Sequence, residues 1–197
     1  MSKLKLEVIK YSKKLNSTNL SALRSGNISI RVKVKGVDGF YITPSGMRYS
    51  KLKIKDIVFV SLKGIFDKKK RKPSSEWRFH QNIYVNKKEA KAIVHAHSTC
   101  STAVSSHQKN IPAFHYMVAV AGGEDLKCAK YATFGTKQLS RNIIKALKNR
   151  TACLIANHGQ VAFGDSLEKA FELAQEIENI CHQYINCLLY TSPSPRD

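Results

Sequence analysis

The sequence has few cysteines, and they follow no disulfide or metal-binding pattern. Five cysteines are scattered over 197 residues, and no CxxC motif occurs among them. An odd and scattered set favours neither a disulfide framework nor a thiolate metal site. We therefore expect a protein of a reducing compartment, and a cytoplasmic location is the simplest prediction.

Long apolar runs are also missing. The first 16 residues interleave lysines with apolar residues, and no stretch of the chain reaches the ~18 apolar residues that a membrane span needs. We expect a soluble protein that is neither exported nor inserted in a membrane. With 197 residues, 43% of them hydrophobic, the chain is long enough for one well-packed domain and short for two.

Acidic residues are scarce relative to basic ones. The chain has 14 Asp and Glu residues and 33 Lys and Arg residues, which gives a formal charge of +19. Such a charge attracts polyanions in general. Nucleic-acid binding is nevertheless a minority interpretation, because the lysines are dispersed and no aromatic–basic motif or basic helical stripe accompanies them. We attribute part of the charge to steering of an anionic small substrate.

Hydrophobic periodicity predicts helices and strands in mixed order. The helical patterns cover residues 3–23, 74–86, 98–106, a segment after Thr136, and 166–189. The strand patterns cover residues 27–34, 40–42, 57–60, 92–98, 151–156 and 161–163. Several strands return on themselves as hairpins, which favours α/β layers around a mixed or antiparallel sheet.

The most informative stretch is AIVHAHS, residues 92–98. Side chains alternate along a strand, so His95 and His97 point to the same face and converge. A zinc ion is the simplest ligand for such a pair, and it needs a third and usually a fourth protein ligand. Two solvated surface imidazoles that fall in this pattern by accident are the alternative.

Two further residues could complete a zinc site. His158 ends a predicted strand and is followed by Gly159, which leaves room for a ligand, and Glu76 stands near the start of a predicted helix. Three imidazoles and one carboxylate are typical of catalytic rather than structural zinc. Glu76 also has a simpler interpretation, because Ser-Ser-Glu at a helix start is ordinary capping.

Three short turns rich in glycine and hydroxyl groups could bind a phosphate through N–H and O–H donors. These are Gly26-Asn27, Ser45-Gly46 and Ser74-Ser75. Each turn taken alone can be explained as a turn only. Taken together with the histidines, the turns favour a zinc enzyme for a phosphorylated substrate.

Several motifs in order also carry a family resemblance: GNIS, ITPSGM, KPSSEWRFH, IVHAHSTCSTAVS, IPAFHYM, AGG, YATFGT, and NHG followed by LEKAFELAQEIE. From about Leu4 to Leu188 the chain resembles the class II aldolase family of the L-fuculose-phosphate aldolase type. The resemblance implies a three-layer α/β/α fold with a mixed, largely antiparallel central sheet. It also implies a cyclic homotetramer with active sites at the subunit interfaces.

The implied reaction is the reversible, zinc-dependent cleavage of a ketose 1-phosphate to dihydroxyacetone phosphate and an aldehyde. By resemblance, zinc is bound by His95, His97 and His158, and by Glu76, which then leaves the metal to act as the acid/base. Tyr116, donated by a neighbouring subunit, would handle the proton on the aldehyde oxygen. The implied phosphate pocket consists of Gly26, Asn27, Ser45, Gly46, Ser74 and Ser75.

Alternatives within and outside the family stay open. A pentulose-phosphate 4-epimerase or a sugar-phosphate dehydratase would share the fold, although the epimerases typically carry aspartate where this chain has Glu76. Residues 190–197 depart from the family pattern, so we predict one aldolase domain at 1–189 and a tail that is artefactual or disordered. A truncated, inactive homologue acting as a binding module for an anionic partner is the further alternative.

The remaining histidines receive structural interpretations. We predict that His80, His107 and His182 lie on the surface or help to pack helices, and that His115 packs beside Tyr116. Phe134 is predicted to shape the substrate pocket near a subunit interface.

Overall fold

The computed structural model describes residues 2–191. Five α-helices occur in this range: α1 (Ser2–Ser17), α2 (Trp77–Asn86), α3 (Thr99–Ser105), α4 (Lys137–Ala146) and α5 (Leu167–Thr191). Seven strands alternate with them: β1 (Asn27–Val34), β2 (Val37–Ile42), β3 (Val58–Ser61), β4 (Ala92–Ala96), β5 (Cys128–Ala129), β6 (Ala152–Ile155) and β7 (Gly159–Gly164). None of these helices is long and apolar enough to cross a membrane.

All seven strands form one sheet in the order β3-β2-β1-β4-β7-β6-β5. The neighbouring strands are antiparallel except for β5 and β6, which are parallel. The predicted mixed, largely antiparallel sheet is therefore confirmed. The β1–β4 and β4–β7 pairs matter most for function, because β4 carries His95 and its two neighbours lie directly beside that histidine.

Helices cover both faces of the sheet, which gives the three layers that the resemblance implies. On one face, Val94, Ala162 and Leu154 pack with residues of α1 and α5, such as Leu15 and Ile177. On the other face, the side chains at alternate strand positions pack with α2 and α4; these include Ile93, Cys153, Val161, Phe79, Ile83 and Ile143. The alternation along β4 therefore assigns His95 to the face that α2 covers.

Several element boundaries differ from the sequence predictions. The first helix ends at Ser17 rather than near residue 23, because Asn19 has a left-handed φ of 57° and the chain turns there. Helix α2 begins at Trp77 rather than Ser74, because Pro73 is held in an isolated bridge with Pro44. The last helix continues to Thr191, and the remainder of the predicted tail 190–197 lies outside the described residues.

Candidate metal centre and substrate cavity

Four side chains from separate parts of the chain meet at one end of the sheet. Glu76 is the residue before α2, His95 lies in β4, His97 follows that strand, and His158 lies in the turn between β6 and β7. One ligand atom from each of these residues lies within 4.8 Å of the others. The four residues that the sequence nominated for a metal are thus brought together by the fold.

Strand geometry explains this convergence. His95 and His97 are two positions apart and project to the same side, and their Nε2 atoms are 2.9 Å apart. The turn that carries His158 lies tightly against β4 because Gly159 has no side chain. A Cβ atom at Gly159 would lie 2.4 Å from the carbonyl oxygen of Ala96, and the φ of 149° also suits glycine.

The hydrogen bonds around His95 define its tautomer. Its Nδ1 lies 2.7 Å from the main-chain oxygen of Gln160, which can only accept, so Nδ1 carries the proton. In the neutral imidazole, Nε2 then presents a lone pair. That lone pair faces Glu76 Oε2 at 3.1 Å and His97 Nε2 at 2.9 Å. Such a second bond from the far ring nitrogen is the usual support for a histidine that binds a metal.

The donor set fits a divalent metal ion. Glu76 Oε1 is buried and accepts no hydrogen bond from the described residues, although His158 Nε2 lies 3.3 Å away. Lone pairs of neighbouring acceptors that face each other repel, and a cation between them removes that repulsion. Three imidazole nitrogens and a carboxylate oxygen are donors that suit zinc and other transition metals. The cluster could therefore hold such an ion.

The titration behaviour of the cluster matches this role. Burial, assisted by His95, lowers the pKa of His97 to about 3 and that of His158 to about 4. Burial alone would raise the pKa of Glu76, but His95, His158 and the Asn27 amide outweigh it and hold that pKa well below its ordinary range. Near neutral pH His97 and His158 are thus neutral and the Glu76 carboxylate is ionised, as metal binding requires of these three groups.

A cavity of about 380 Å³ opens beside the four side chains. Glu76, His97 and His158 form its inner wall. Its other lining residues include five of the six residues predicted to bind phosphate: Gly26, Ser45, Gly46, Ser74 and Ser75. Arg24, Tyr131, Phe134 and Asn157 line the cavity as well. One open cavity therefore joins the candidate metal centre to the hydroxyl-rich turns.

Main-chain bonds hold two of these turns side by side. The Ser45 N–H donates to the carbonyl of Lys72, and the Ser74 N–H donates to the carbonyl of Thr43, at 3.1 and 2.9 Å. The third turn is held by Tyr49, whose hydroxyl donates to the carbonyl of Gly26 at 2.6 Å. The turns are thus fixed parts of the cavity wall.

Two predicted site residues lie elsewhere. Asn27 is buried behind the cavity wall, 2% exposed, and donates from Nδ2 to Glu76 Oε2 at 3.0 Å. Its side chain contacts the carboxylate from within the protein, and Asn27 is not among the residues that line the cavity, so its phosphate role stays a prediction. Tyr116 lies in a 3₁₀ helix, Tyr116–Ala121, and its side chain is 79% exposed. Phe134, in contrast, does line the cavity, as predicted.

Sequence reasoning missed three residues with a part in the site. Arg24 brings a guanidinium group to the cavity, where its Nη1 donates to the carbonyl of Gly46 at 3.3 Å. Gln160 contributes only its main-chain oxygen to His95, which no side-chain pattern could reveal. His80, assigned to the surface or to helix packing, is fully buried against Asn27. Its position four residues after Glu76, on the same helical face, was the available signal.

The chain is similar in sequence to known proteins of one family. The model of the class II aldolase and adducin N-terminal domain matches residues 6–185. Among curated proteins, the chain is 43% identical over 194 residues to an L-fuculose phosphate aldolase of Escherichia coli (strain K12), covering 98% of this chain and 88% of that protein. It is 42% identical over 186 residues to a 5-methylthioribulose-1-phosphate/5-deoxyribulose-1-phosphate aldolase of Rhodospirillum rubrum, covering 94% and 82%.

A solved structure gives the same result for the fold. An L-fuculose 1-phosphate aldolase superimposes with a TM-score of 0.91 at 39% sequence identity, covering 98% of this chain and 90% of that one.

Proposed function

The chain belongs to the class II aldolase and adducin family, and on that premise we propose that it is a zinc-dependent aldolase that cleaves a ketose 1-phosphate to dihydroxyacetone phosphate and an aldehyde. One observation carries the proposal. A carboxylate, Glu76, stands among three imidazoles at the wall of a cavity whose other side consists of serine and glycine turns. That arrangement would combine a metal site, a proton acceptor and a phosphate site within a single cavity.

His95, His97 and His158 would hold the metal, with Glu76 as a further ligand at rest. When bound, a zinc ion supplies Lewis-acid stabilisation for the negative charge that develops on the substrate oxygens when the carbon–carbon bond breaks. His95 is suited to such binding because Gln160 fixes the proton on its Nδ1 and leaves Nε2 free to ligate.

Glu76 would move the proton at carbon. In synthesis, the ionised carboxylate removes a proton from the hydroxymethyl carbon of dihydroxyacetone phosphate. In cleavage, the C4 hydroxyl would give up its proton, which the Tyr116 hydroxyl would relay to the ionised Glu76 carboxylate. The electron pair of the broken C3–C4 bond would stay on C3, and the Glu76 carboxyl group would then deliver the proton to C3. Glu76 Oε2 is occupied by Asn27, whereas Oε1 accepts no hydrogen bond from the described residues. Oε1 is therefore the oxygen we assign to this transfer.

The turns would bind the phosphate. Ser45, Ser75 and Gly46 line the cavity, and Arg24 adds a positive charge at its rim. Hydroxyl groups, main-chain N–H groups and a guanidinium are the donors that phosphate oxygens accept. The net charge of +19 would attract such an anion from a distance.

Two kinds of sugar end are candidates for the substrate. L-fuculose 1-phosphate is one candidate, as for the relative from Escherichia coli. A ribulose 1-phosphate with a methyl or methylthio end is the second, as for the relative from Rhodospirillum rubrum. Tyr131 and Phe134 favour neither alone, since their rings could pack against either methyl-bearing end.

The assembly is proposed as a homotetramer. Tyr116 is 79% exposed and lies outside the cavity of its own chain, so a neighbouring copy would have to bring its hydroxyl to the aldehyde oxygen. A cytoplasmic location follows from the same proposal, because the phosphorylated substrate is an intracellular metabolite.

The test is an assay for dihydroxyacetone phosphate released from L-fuculose 1-phosphate and from the 5-deoxy and 5-methylthio ribulose 1-phosphates, with and without a metal chelator. We expect release that the chelator abolishes and that added Zn²⁺ restores. Formation of an epimeric ketose phosphate without aldehyde would support an epimerase instead. A folded, zinc-loaded protein that converts none of these substrates would refute the proposed function.

A further inference from the structure

A buried chain of polar side chains runs away from Glu76 beneath α2. Asn27 Nδ2 donates to Glu76 Oε2 at 3.0 Å, and Asn27 Oδ1 is hydrogen-bonded to His80 Nε2. His80 Nδ1 lies 2.7 Å from Ser29 Oγ, which lies 2.8 Å from the hydroxyl of Tyr84. The four residues behind Glu76 are each at most 2% exposed. Water therefore does not substitute for these bonds.

The charge of Glu76 fixes the direction of every bond in this chain. A carboxylate only accepts, so Asn27 must present its NH₂ group to Glu76 and its oxygen to His80. His80 must then carry its proton on Nε2 and accept at Nδ1. Ser29 has one hydroxyl proton, which it gives to His80, and so Tyr84 donates to Ser29. Burial lowers the pKa of His80 to about 3, so the ring is neutral and can hold both roles.

Reversing the direction of these hydrogen bonds would place an acceptor against an acceptor and a donor against a donor. If Asn27 were rotated by half a turn, its oxygen would face the Glu76 carboxylate and its NH₂ group would face the N–H of His80. An acceptor against a carboxylate and a donor against a donor are both unfavourable in a site without water. The Nε2–H of His80 therefore opposes rotation of the amide.

We propose that His80 is a positioning residue for the reaction, which acts through Asn27 to hold the Glu76 carboxylate with Oε2 hydrogen-bonded and Oε1 left without a hydrogen-bond donor among the described residues. The strand register assists it, because Asn27 in β1 stands opposite His95 in β4. The same amide thus lies beside a metal ligand and beside the acid/base. The inference rests on the proposed function, since it assigns His80 a part in that same proton transfer.

Two substitutions at one position separate positioning from packing. His80→Gln keeps an N–H donor near the place of Nε2 and can still bind Asn27. His80→Asn keeps a polar group near the place of Nδ1, so it can bind Ser29 but leaves Asn27 without its partner. Ile83→Val is the control for stability, because it removes one methylene from the same face of α2, in the fully buried core.

The variants are compared as zinc-loaded, full-length protein for kcat, KM and Zn²⁺ affinity. We expect His80→Asn to lower kcat by about 10- to 100-fold, the range typical of residues that support metal ligands, with KM changed much less. Zn²⁺ affinity should fall in the same variant. His80→Gln should recover most of both losses, and Ile83→Val should keep the wild-type kcat. Equal losses in His80→Gln and His80→Asn, or wild-type kcat in both, would overturn the proposal.

A measurement on the wild-type protein avoids any problem of folding in the variants. ¹⁵N–¹H correlation spectra of the imidazole rings should show His80 as the neutral Nε2–H tautomer, and the Nδ1–H tautomer would overturn the proposal. If the wild-type enzyme cleaves no ketose 1-phosphate, the proposed function fails. The positioning role is then decided by this tautomer and by the difference in Zn²⁺ affinity between the two His80 variants.

Discussion

Replacing Gly26 by alanine should disturb the metal site more than its backbone conformation alone would require. Gly26 has a φ of +76°, and an added Cβ would lie 2.6 Å from the carbonyl oxygen of His95 and 2.7 Å from Ser21 Oγ. Gly36 has a similar φ of +81°, and a Cβ there would meet nothing within 4 Å. The two substitutions share the cost of a left-handed alanine, about 1–2 kcal/mol. They differ only in the steric contact.

The steric contact at Gly26 can be relieved only if the main chain of β4 or the side chain of Ser21 moves. The oxygen of His95 belongs to the main chain of β4, which pairs with β1 directly after Gly26. Ser21 Oγ accepts the N–H of His97 at 3.0 Å, so its displacement weakens a bond to a second proposed ligand. Overpacking of this kind costs about 1–3 kcal/mol, and the lost hydrogen bond adds about 1 kcal/mol. We therefore expect Gly26→Ala to cost about 2–4 kcal/mol more than Gly36→Ala.

Urea denaturation of the two variants measures this difference, and titration with Zn²⁺ measures its consequence for the site. Gly26→Ala should bind Zn²⁺ more weakly than the wild type, because His95 and His97 must move, whereas Gly36→Ala should bind it normally. Equal free energies of unfolding for the two variants, or an unchanged Zn²⁺ affinity in Gly26→Ala, would refute the reasoning.

Three other predictions concern charge. Arg24→Met should raise the KM for the ketose phosphate by about 10-fold with little change in kcat, because a charge-assisted bond to phosphate is lost; a lower kcat at unchanged KM would contradict it. The buried neutral His80 should contribute about 2 kcal/mol to the loss of stability of the metal-free protein between pH 7.5 and pH 5, in addition to the losses from His97 and His158. The folded pKa of His80, about 3, lies below the unfolded value, so stability is complete above about pH 6.5 and declines as the pH falls toward 3. Denaturation across this range should show a shallower decline in His80→Gln, and parallel curves would exclude His80 as a cause. Glu178→Gln should cost about 1–2 kcal/mol, because Glu178 accepts the N–H groups of Cys100 and Ser101 at the start of α3, at 2.7 and 2.8 Å. Thermal unfolding at high and low salt tests it, and no loss at either salt concentration would contradict the capping role.

The sequence was most informative where function depends on local periodicity. Alternation along residues 92–98 was enough to predict that His95 and His97 share a face, because that relation belongs to any extended strand. The buried face of α5 and the room that Gly159 leaves beside His158 could also be predicted from the sequence. The three-layer fold was predicted through the resemblance to a family rather than from periodicity, since hydrophobic patterns do not specify the order of strands in a sheet.

Contacts between residues that lie far apart in the sequence could not be predicted from such patterns. The Gly26-Asn27 turn and the family resemblance predicted Asn27 in the phosphate pocket, and only the sheet shows that Asn27 stands opposite His95 with its amide bonded to Glu76. Buried His80 was missed for a related reason: a histidine in an amphipathic helix is usually a surface residue, and only tertiary structure shows that Ser29 and Asn27 face it. The hydrogen bond from His95 to the main-chain oxygen of Gln160 could not be predicted from residue types, because every residue has such an oxygen.

The division of the site between sheet and loops suggests why relatives with the same fold act on different sugars. The proposed metal ligand His95 and its neighbours Asn27 and Gln160 lie on β4, β1 and β7, whose pairing is part of the core, so a change there would affect folding as well as the proposed catalysis. The outer wall of the cavity, including Tyr131 and Phe134, lies in exposed connecting segments. Such segments can change without a large loss of core packing. We therefore expect the proposed cleavage chemistry to depend on the sheet, whereas the preference for one aldehyde over another can diverge through the loops.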